Sequence, residues 1–207
     1  MKRRTIGIVD YGVGNHTSVW RALHALDLRC RVSRDPAVLA ATDVLVLPGV
    51  GAFPPAMQAL HAHALAGFVQ QQARAGQPLI GICLGMQLLA DASAEFGDTA
   101  GLGLIPGAVR TLSQADWHTG WNALEAVGDD PLLRGFDGES VYFNHSYAFE
   151  PAPEYRIAVA RLQPQAAPVT VAVRRANLIG LRFHTEKRQG AGRAILRRVI
   201  AELCDAA

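Results

Sequence analysis

Cysteine is scarce in this chain, as are long apolar runs and blocks of one charge. The cysteines at 30, 83 and 204 are an odd, widely spaced set without a CxxC pair, which argues against a zinc site and a disulfide framework. We therefore expect a reducing, cytoplasmic environment. The 20 Lys and Arg residues against 18 Asp and Glu residues leave a net charge of +2. They form no basic block, so nucleic acid is not an expected partner.

Membrane segments are not expected either, because no apolar run approaches the roughly 20 residues that span a bilayer. The first residues imitate a signal peptide, but their apolar stretch stops at Asp10, short of the roughly 7–15 residues that such a peptide needs. Half of the 207 residues are hydrophobic, which excludes intrinsic disorder. No repeat or linker divides the chain, and we predict one domain over residues 1–207.

Short apolar runs alternate with helical patterns in the first half of the chain. Strands that are apolar throughout, as expected when both faces are buried, are predicted at 5–9, 44–47 and 79–82. An edge strand at 28–32 and helices around 19–26 and over 55–74 complete the pattern. This alternation predicts an α/β fold with an open, largely parallel central sheet flanked by helices.

The second half changes character, because strand patterns follow one another with turns between them. They cover residues 123–127, 141–147, 156–162, 169–175 and 178–183. A last amphipathic helix is predicted over 191–203. We therefore expect mixed and antiparallel strands to extend the parallel sheet.

The sharpest local pattern surrounds Cys83. The segment Gly81-Ile-Cys-Leu-Gly85 joins a buried strand to an apolar helical stretch, and its glycines permit the tight strand–turn–helix of a nucleophile elbow. A cysteine at a helix N-terminus is favoured as a thiolate. A buried, inert cysteine is the alternative interpretation, and the pattern alone leaves both open.

A thiolate that attacks a carbonyl needs a base and a group that orients the base. His184 and Glu186 stand two residues apart where a predicted strand ends, so their side chains are expected on the same side. An exposed His and Glu at a strand end remain the alternative. The other histidines do not stand at ligand spacing, and no metal site is predicted.

Glycines also follow the strand that we expect beside the Cys83 strand. The turn at 48–51, Pro-Gly-Val-Gly, lies at the carboxyl edge where open α/β sheets carry their sites. Its backbone N–H groups, with that of Leu84, suit an oxyanion hole. The glycine-rich segment at 10–15 lacks the full GxGxxG pattern, so it is weak evidence for dinucleotide binding.

Seven motifs occur in one order along nearly the whole chain. They are DYGVGN at 10–15, PGVGAF at 48–53, GICLGMQLL at 81–89, GLGLIPG at 101–107, GWN at 120–122, HSY at 145–147 and HxEK at 184–187. In these motifs the sequence resembles the class I glutamine amidotransferases, and within them the glutaminase subunits of histidine biosynthesis.

The resemblance implies a role for each matching residue. Cys83 would attack the side-chain amide of glutamine and release ammonia, with His184 as general acid/base and Glu186 orienting it. Val50 and Leu84 would supply the oxyanion-hole N–H groups. The glutamine would be held by Gly51, Gln87, Ser146 and Tyr147. The residues facing a partner would be Asn15, Trp121, Tyr142 and Lys187.

The partner that the resemblance implies is a (β/α)8-barrel cyclase. It would use the ammonia to form imidazole glycerol phosphate and an aminoimidazole carboxamide ribonucleotide. No cofactor is implied for the glutaminase.

Several positions depart from the family pattern. Thr185 replaces the proline between the catalytic His and Glu, which removes that residue's fixed φ. The other departures are His16, Thr17, Thr119, Asn144 and Arg188. These other departures leave open a paralogue that feeds ammonia to another acceptor, such as a surface-polysaccharide sugar. Thr185 leaves open a catalytically silent regulatory subunit. A further alternative is the glutaminase of pyridoxal phosphate synthesis, to which the motifs DYGVGN and PGVGAF are less similar.

Overall fold

Strands and helices alternate up to residue 88, and strands dominate thereafter. The structure is a computed structural model that describes residues 4–113, 116–163, 165–185 and 190–205. The strands in the described residues are β1 Thr5–Val9, β2 Arg29–Ser33, β3 Val44–Gly49, β4 Leu79–Cys83, β5 Ala92–Ser93, β6 Thr99–Ala100, β7 Gly107–Thr111, β8 His118–Ala123, β9 Glu125–Ala126, β10 Ser140–His145, β11 Tyr147–Pro151, β12 Arg156–Ala160, β13 Val169–Arg175 and β14 Leu178–Leu181. The helices are α1 His16–His24, α2 Pro36–Ala40, α3 Phe53–Ala62, α4 Leu65–Arg74, α5 Leu84–Leu88 and α6 Gly190–Asp205, with a 3₁₀ turn at Pro153–Tyr155.

The central sheet has the strand order β2-β1-β3-β4-β14-β13-β12-β9. Its first five strands are parallel, and the last three are antiparallel additions. This confirms the predicted α/β fold and the predicted edge position of the strand near residue 30. β14 comes from the second half of the chain but pairs with β4, with Ile179 opposite Ile80. The pairing brings the residues after β14 to the carboxyl end of β4.

Helices cover both faces of the central sheet. Leu23 of α1 and Val199 of α6 belong to the core on one face, and Phe53 of α3 and Val69 of α4 belong to the core on the other. The central strands are apolar throughout because both of their faces are buried. In the described part of the chain, no helix combines the length and apolarity that crossing a membrane requires.

The single helix predicted over 55–74 is wrong, because the chain forms α3 and α4 there. The break lies at Ala64, whose φ is +55°. Leu60 before the break and Leu65 after it are both fully buried, so the change of direction keeps both helices on the sheet. Alanine is the best helix former, and the left-handed conformation costs it roughly 1–2 kcal/mol. Nothing in the local sequence therefore marks the break.

Two predicted strands are also wrong as single strands. The segment 123–127 divides between β8 and β9, and the segment 141–147 divides at Ser146 into β10 and β11. β10 pairs with β8, whereas β11 joins a four-stranded sheet in the order β11-β7-β5-β6. The chain therefore changes sheets at Ser146, which periodicity alone does not reveal.

Candidate active site

Cys83 occupies a strained turn between β4 and α5. Its φ of 57° and ψ of −113° lie outside the regions that residues with a side chain normally adopt. β4 is held on both sides by β3 and β14, so the surrounding sheet maintains this conformation. The turn is a strand–turn–helix elbow at the carboxyl edge of the sheet.

The elbow depends on the absence of a side chain at Gly85. A Cβ at this position would collide with the carbonyl oxygen of Leu47 in β3. A Cβ at Gly81 would lie 2.6 Å from the carbonyl oxygen of Gly85, a distance that real Cβ contacts essentially never show. The backbone of α5 therefore lies directly against the strands, and this contact fixes the position of Cys83.

His184 lies beside the thiol. Its Nε2 is 3.5 Å from Cys83 Sγ, although the two residues are 101 positions apart in the sequence. The backbone N–H of His184 donates to the carbonyl of Tyr142 at 3.0 Å, which fixes the chain after β14. The β14–β4 pairing thus places a nucleophile and a base in contact.

Glu186, the third residue of the expected triad, lies outside the described residues, as do Lys187 and Arg188. Thr185, at the position of the family proline, is buried. Its hydroxyl has no hydrogen-bond partner within the described ranges. Nothing in the structure explains this replacement.

Arg182 also contacts the thiol, and sequence reasoning did not identify it. Its Nη1 donates to Cys83 Sγ at 2.9 Å, and only 6% of the residue is exposed. Burial alone would raise the pKa of Cys83, but the charge of Arg182, the contact with His184 and the N–H of Leu84 together lower this pKa to about 7. A signal was available, because Arg182 and His184 are two residues apart in an extended segment and so share a side.

A cavity of about 390 Å³ opens beside Cys83, within the range of roughly 300–1,000 Å³ that is typical of small-molecule sites. The residues expected to bind glutamine or form the oxyanion hole all line it: Val50, Gly51, Leu84, Gln87, Ser146 and Tyr147. The structure adds Ala52, Glu95, Phe96, Trp117, Asn144, His145 and Arg182. A slightly larger hollow of about 430 Å³ lies against α6, but none of the described residues that line it is a nucleophile.

The turn after β3 lies level with the nucleophile. Gly49 is the register partner of Cys83 across the parallel pair, which puts Val50 at the cavity. The buried hydroxyl of Tyr11 donates to the carbonyl of Pro48 at 2.7 Å. This hydrogen bond anchors the turn at its first residue.

Two buried polar side chains line the cavity and hold backbone groups. Gln87 Nε2 donates to the carbonyl of Tyr147 at 3.1 Å, which ties α5 to β11. Glu95 Oε2 accepts a hydrogen bond of 2.9 Å from the backbone N–H of Phe53. Burial raises the pKa of Glu95. Both side chains are thereby held in one place before a ligand enters.

A pair of histidines fixes the bend between β10 and β11. His145 Nε2 lies 3.1 Å from His118 Nδ1, and His145 Nδ1 lies 3.2 Å from the carbonyl of Tyr147. Burial, together with the charge of Arg182, lowers the pKa of His145 to about 3. The ring is therefore neutral near pH 7, so its Nδ1–H donates to Tyr147 and its Nε2 accepts from His118.

The pKa of His145 predicts a loss of stability in mild acid. Unfolding lets His145 bind a proton below about pH 6.5, whereas the folded ring stays neutral down to about pH 3. Stability is therefore present above the unfolded pKa and is lost as the pH falls below it. Between about pH 7.5 and pH 5, this group alone should cost about 2 kcal/mol.

Urea unfolding of the native chain and of His145→Asn at both pH values measures this effect. Asparagine can still donate to the carbonyl of Tyr147 but does not titrate. We expect the free energy of unfolding to fall by about 2 kcal/mol more in the native chain than in the variant. Equal losses in the two proteins would contradict the neutral state of His145.

Comparison with known proteins matches residues 7–203 to the family model "Glutamine amidotransferase class-I". The chain belongs to the class I glutamine amidotransferase family. This confirms the resemblance found in the motifs, and it makes the protein an enzyme of the amidotransferase class.

Relatives of this amidotransferase include two proteins named "Imidazole glycerol phosphate synthase subunit HisH". The one from Streptococcus gordonii is 42% identical over 195 residues, covering 92% of this chain and 93% of its own. The one from Symbiobacterium thermophilum is 43% identical over 203 residues, covering 97% of this chain and 95% of its own.

Solved structures show the same fold at lower identity. One titled "Crystal structure of glutamine amidotransferase" has a TM-score of 0.76 and 19% identity, covering 97% of this chain and 98% of its own. Another, titled "Structure of PurLQS from Thermotoga maritima", has a TM-score of 0.75 and 18% identity, covering 97% of this chain and 99% of its own. At these identities the likeness supports the amidotransferase fold alone.

The residues expected to face a partner lie at the surface of the amidotransferase, as far as the structure describes them. Trp121 is 44% exposed, and its ring meets that of Tyr142 edge-on with centroids 5.3 Å apart. The Tyr142 hydroxyl lies 3.0 Å from Oγ1 of Thr119. Asn15 caps α1, because its Oδ1 accepts from the N–H of Ser18 at 3.1 Å.

Proposed function

We propose that this chain is the glutaminase subunit of imidazole glycerol phosphate synthase. It hydrolyses glutamine to glutamate and ammonia and passes the ammonia to a (β/α)8-barrel cyclase in histidine biosynthesis. The relatives that carry this name support the assignment at 42–43% identity over more than nine-tenths of the chain. The contact of 3.5 Å between Cys83 and His184 is the observation that carries it. We treat residues 1–207 as one amidotransferase domain.

The reaction begins with deprotonation of the Cys83 thiol. His184 accepts the thiol proton, and the sulfur attacks the side-chain carbonyl carbon of glutamine. The C–N bond then breaks, and the proton held by His184 goes to the leaving nitrogen, so that ammonia and a γ-glutamyl thioester form. His184 next takes a proton from water, which attacks the thioester and regenerates the thiolate with release of glutamate. Glu186 is proposed to orient His184 throughout.

Negative charge develops on the carbonyl oxygen in both attacks. The backbone N–H groups of Val50 and Leu84 are proposed to receive it as an oxyanion hole. The register of Gly49 with Cys83 and the anchoring of the turn by Tyr11 support this role for Val50. The turn is held before substrate enters, and such preorganisation is what makes an oxyanion hole effective.

The cavity lining suits an amino acid whose side chain points at Cys83. Glu95 supplies a buried carboxylate for the α-ammonium group, and Gly51, Gln87, Ser146 and Tyr147 are proposed to complete the glutamine site. A hydrogen-bonded Gln87 and a neutral His145 hold the Tyr147 backbone from two sides. The side of the cavity formed by Tyr147 is therefore rigid when glutamine binds, which favours a single orientation of the reacting amide.

The docking face for the cyclase is proposed to lie around the cavity mouth. Phe96 and Trp117 line the cavity and are 81% and 62% exposed. Large exposed apolar side chains at a site mouth are typical of an interaction surface. We assign Asn15, Trp121, Tyr142 and Lys187 to this face.

Glutamate release by the purified chain, alone and with the histidine-pathway cyclase and its nucleotide ligand, tests the proposal. We expect low activity alone and an increase of roughly 10²-fold or more with the liganded cyclase, because closure of the cavity mouth by the partner sequesters the reaction and commits the substrate. The cyclase without ligand is the control. Activity with another ammonia acceptor but not with this cyclase would point to the paralogue, and a folded chain inactive in every mixture would point to a regulatory subunit.

A further inference from the structure

Arg182 places a fixed positive charge inside the candidate active site. It follows β14, and its guanidinium lies 2.9 Å from Cys83 Sγ. The residue is almost completely buried. A buried guanidinium cannot release its proton, so it retains its charge and needs compensation by an anion or by hydrogen bonds.

The sulfur of Cys83, as a thiolate, is the one anion among the described residues that contacts Arg182 directly. Over the described ranges no carboxylate forms an ion pair with Arg182, and its Nε has no hydrogen-bond partner. Glu95 lies near enough for its ionisation to be influenced by Arg182, but its carboxylate is hydrogen-bonded to the Phe53 backbone. The sulfur of Cys83 is the group that Nη1 contacts.

We propose that Arg182 is a catalytic residue, a permanent cation that stabilises the Cys83 thiolate before each attack on glutamine and after each thioester is hydrolysed. It neither gives nor takes a proton, so the proton transfers assigned to His184 are unchanged. This proposal rests on the proposed function, since it names a further group in the same glutaminase site. Arg182 supplies positive charge beside the sulfur whether or not His184 is protonated.

The other groups facing Cys83 do not supply the same charge. His184 is positive only when protonated, and Tyr11 stays un-ionised because burial raises its pKa. Glu95 lines the same cavity and carries negative charge when ionised, so it supplies no positive charge to a thiolate. Arg182 is thus the group, among those described, whose positive charge does not depend on pH.

Alkylation of Cys83 by iodoacetamide, followed from about pH 5 to pH 9, reports the thiolate directly. In Arg182→Gln we expect the midpoint of the pH dependence of alkylation to rise by at least about one pH unit and the alkylation rate at pH 7 to fall at least about fivefold. Arg182→Lys places an ammonium group there whose pKa is lowered by burial, so we expect its alkylation midpoint to lie between those of the native chain and Arg182→Gln. Arg110→Gln, at an exposed ion pair with Glu150, is the control and should not shift the midpoint.

An unchanged midpoint in folded Arg182→Gln would overturn the proposal. Such a result together with a raised KM for glutamine would instead make Arg182 a binder of the substrate carboxylate. If Arg182→Gln does not fold, the alkylation midpoint of Cys83 is measured in His184→Asn instead. A midpoint below about pH 8 supports the permanent cation, whereas a rise to the free-thiol value of about 8.5 overturns it. Because alkylation needs no glutamine turnover, the alkylation midpoints test this proposal independently of the proposed glutaminase function.

Discussion

Glutamine hydrolysis falls by about 10⁴-fold or more in a chain that carries Cys83→Ala, because no other group can form the thioester. The cavity, Arg182 and His184 remain in place in this variant, so glutamine can still bind. Ammonia and glutamate release are both measured, in the presence of the liganded cyclase. Residual activity reflects the oxyanion hole and positioning alone.

The matched control is Cys30→Ala, which removes a half-buried thiol from the edge strand β2 and should leave turnover unchanged. A glutamine analogue with a reactive diazo ketone adds a second measurement, because it should label the native chain and Cys30→Ala at Cys83 but leave Cys83→Ala unlabelled. Undiminished ammonia release by Cys83→Ala would remove the nucleophile from the mechanism altogether.

Gly85→Ala should be the most damaging conservative change in the fold, with a loss of about 3 kcal/mol or more in the free energy of unfolding. The added methyl group meets the carbonyl oxygen of Leu47, which belongs to a central strand and cannot move without disturbing the sheet. Any protein that still folds must displace α5 and with it Cys83. The free energy of unfolding, measured in urea, and the glutaminase activity should therefore both fall.

Gly67→Ala provides the control for this prediction. Gly67 lies in α4, and a Cβ there has nothing within 4 Å. Alanine should stabilise this helix by up to about 1 kcal/mol and leave activity unchanged. Similar unfolding curves for the two variants would show that the contact between α5 and β3 is looser than the structure indicates.

The parallel part of the fold was predictable because its strands carry a strong signal. β1, β3, β4 and β14 are short apolar runs, β2 has the polar and half-buried pattern of an edge strand, and α1, α3 and α4 have apolar residues at helical spacing. The second half was harder, because a chain that crosses between sheets at Ser146 looks continuous in its strand pattern. β5 and β6 are two residues long, which is too short for any periodicity.

The site was predictable only as far as its motifs and local geometry reached. The elbow around Cys83 and the pair His184 and Glu186 were suggested by spacing, whereas the contact between Cys83 and His184 depends on the pairing of β14 with β4. Arg182 was overlooked because an arginine in an apolar strand is normally assigned to the surface. Its spacing from His184 placed the two side chains on one side of the chain, but its burial against a thiol is a tertiary property that depends on the pairing of β14 with β4.

The β4–β14 pairing also dictates when the active site can form during synthesis. β4 is complete at residue 83, but its partner strand ends at residue 181. Until those later residues leave the ribosome, one edge of the buried strand β4 is unpaired, and exposed strand edges favour aggregation. In the nascent amidotransferase, Cys83 therefore precedes His184 by about a hundred residues of synthesis. During this interval a chaperone can protect the unpaired edge of β4.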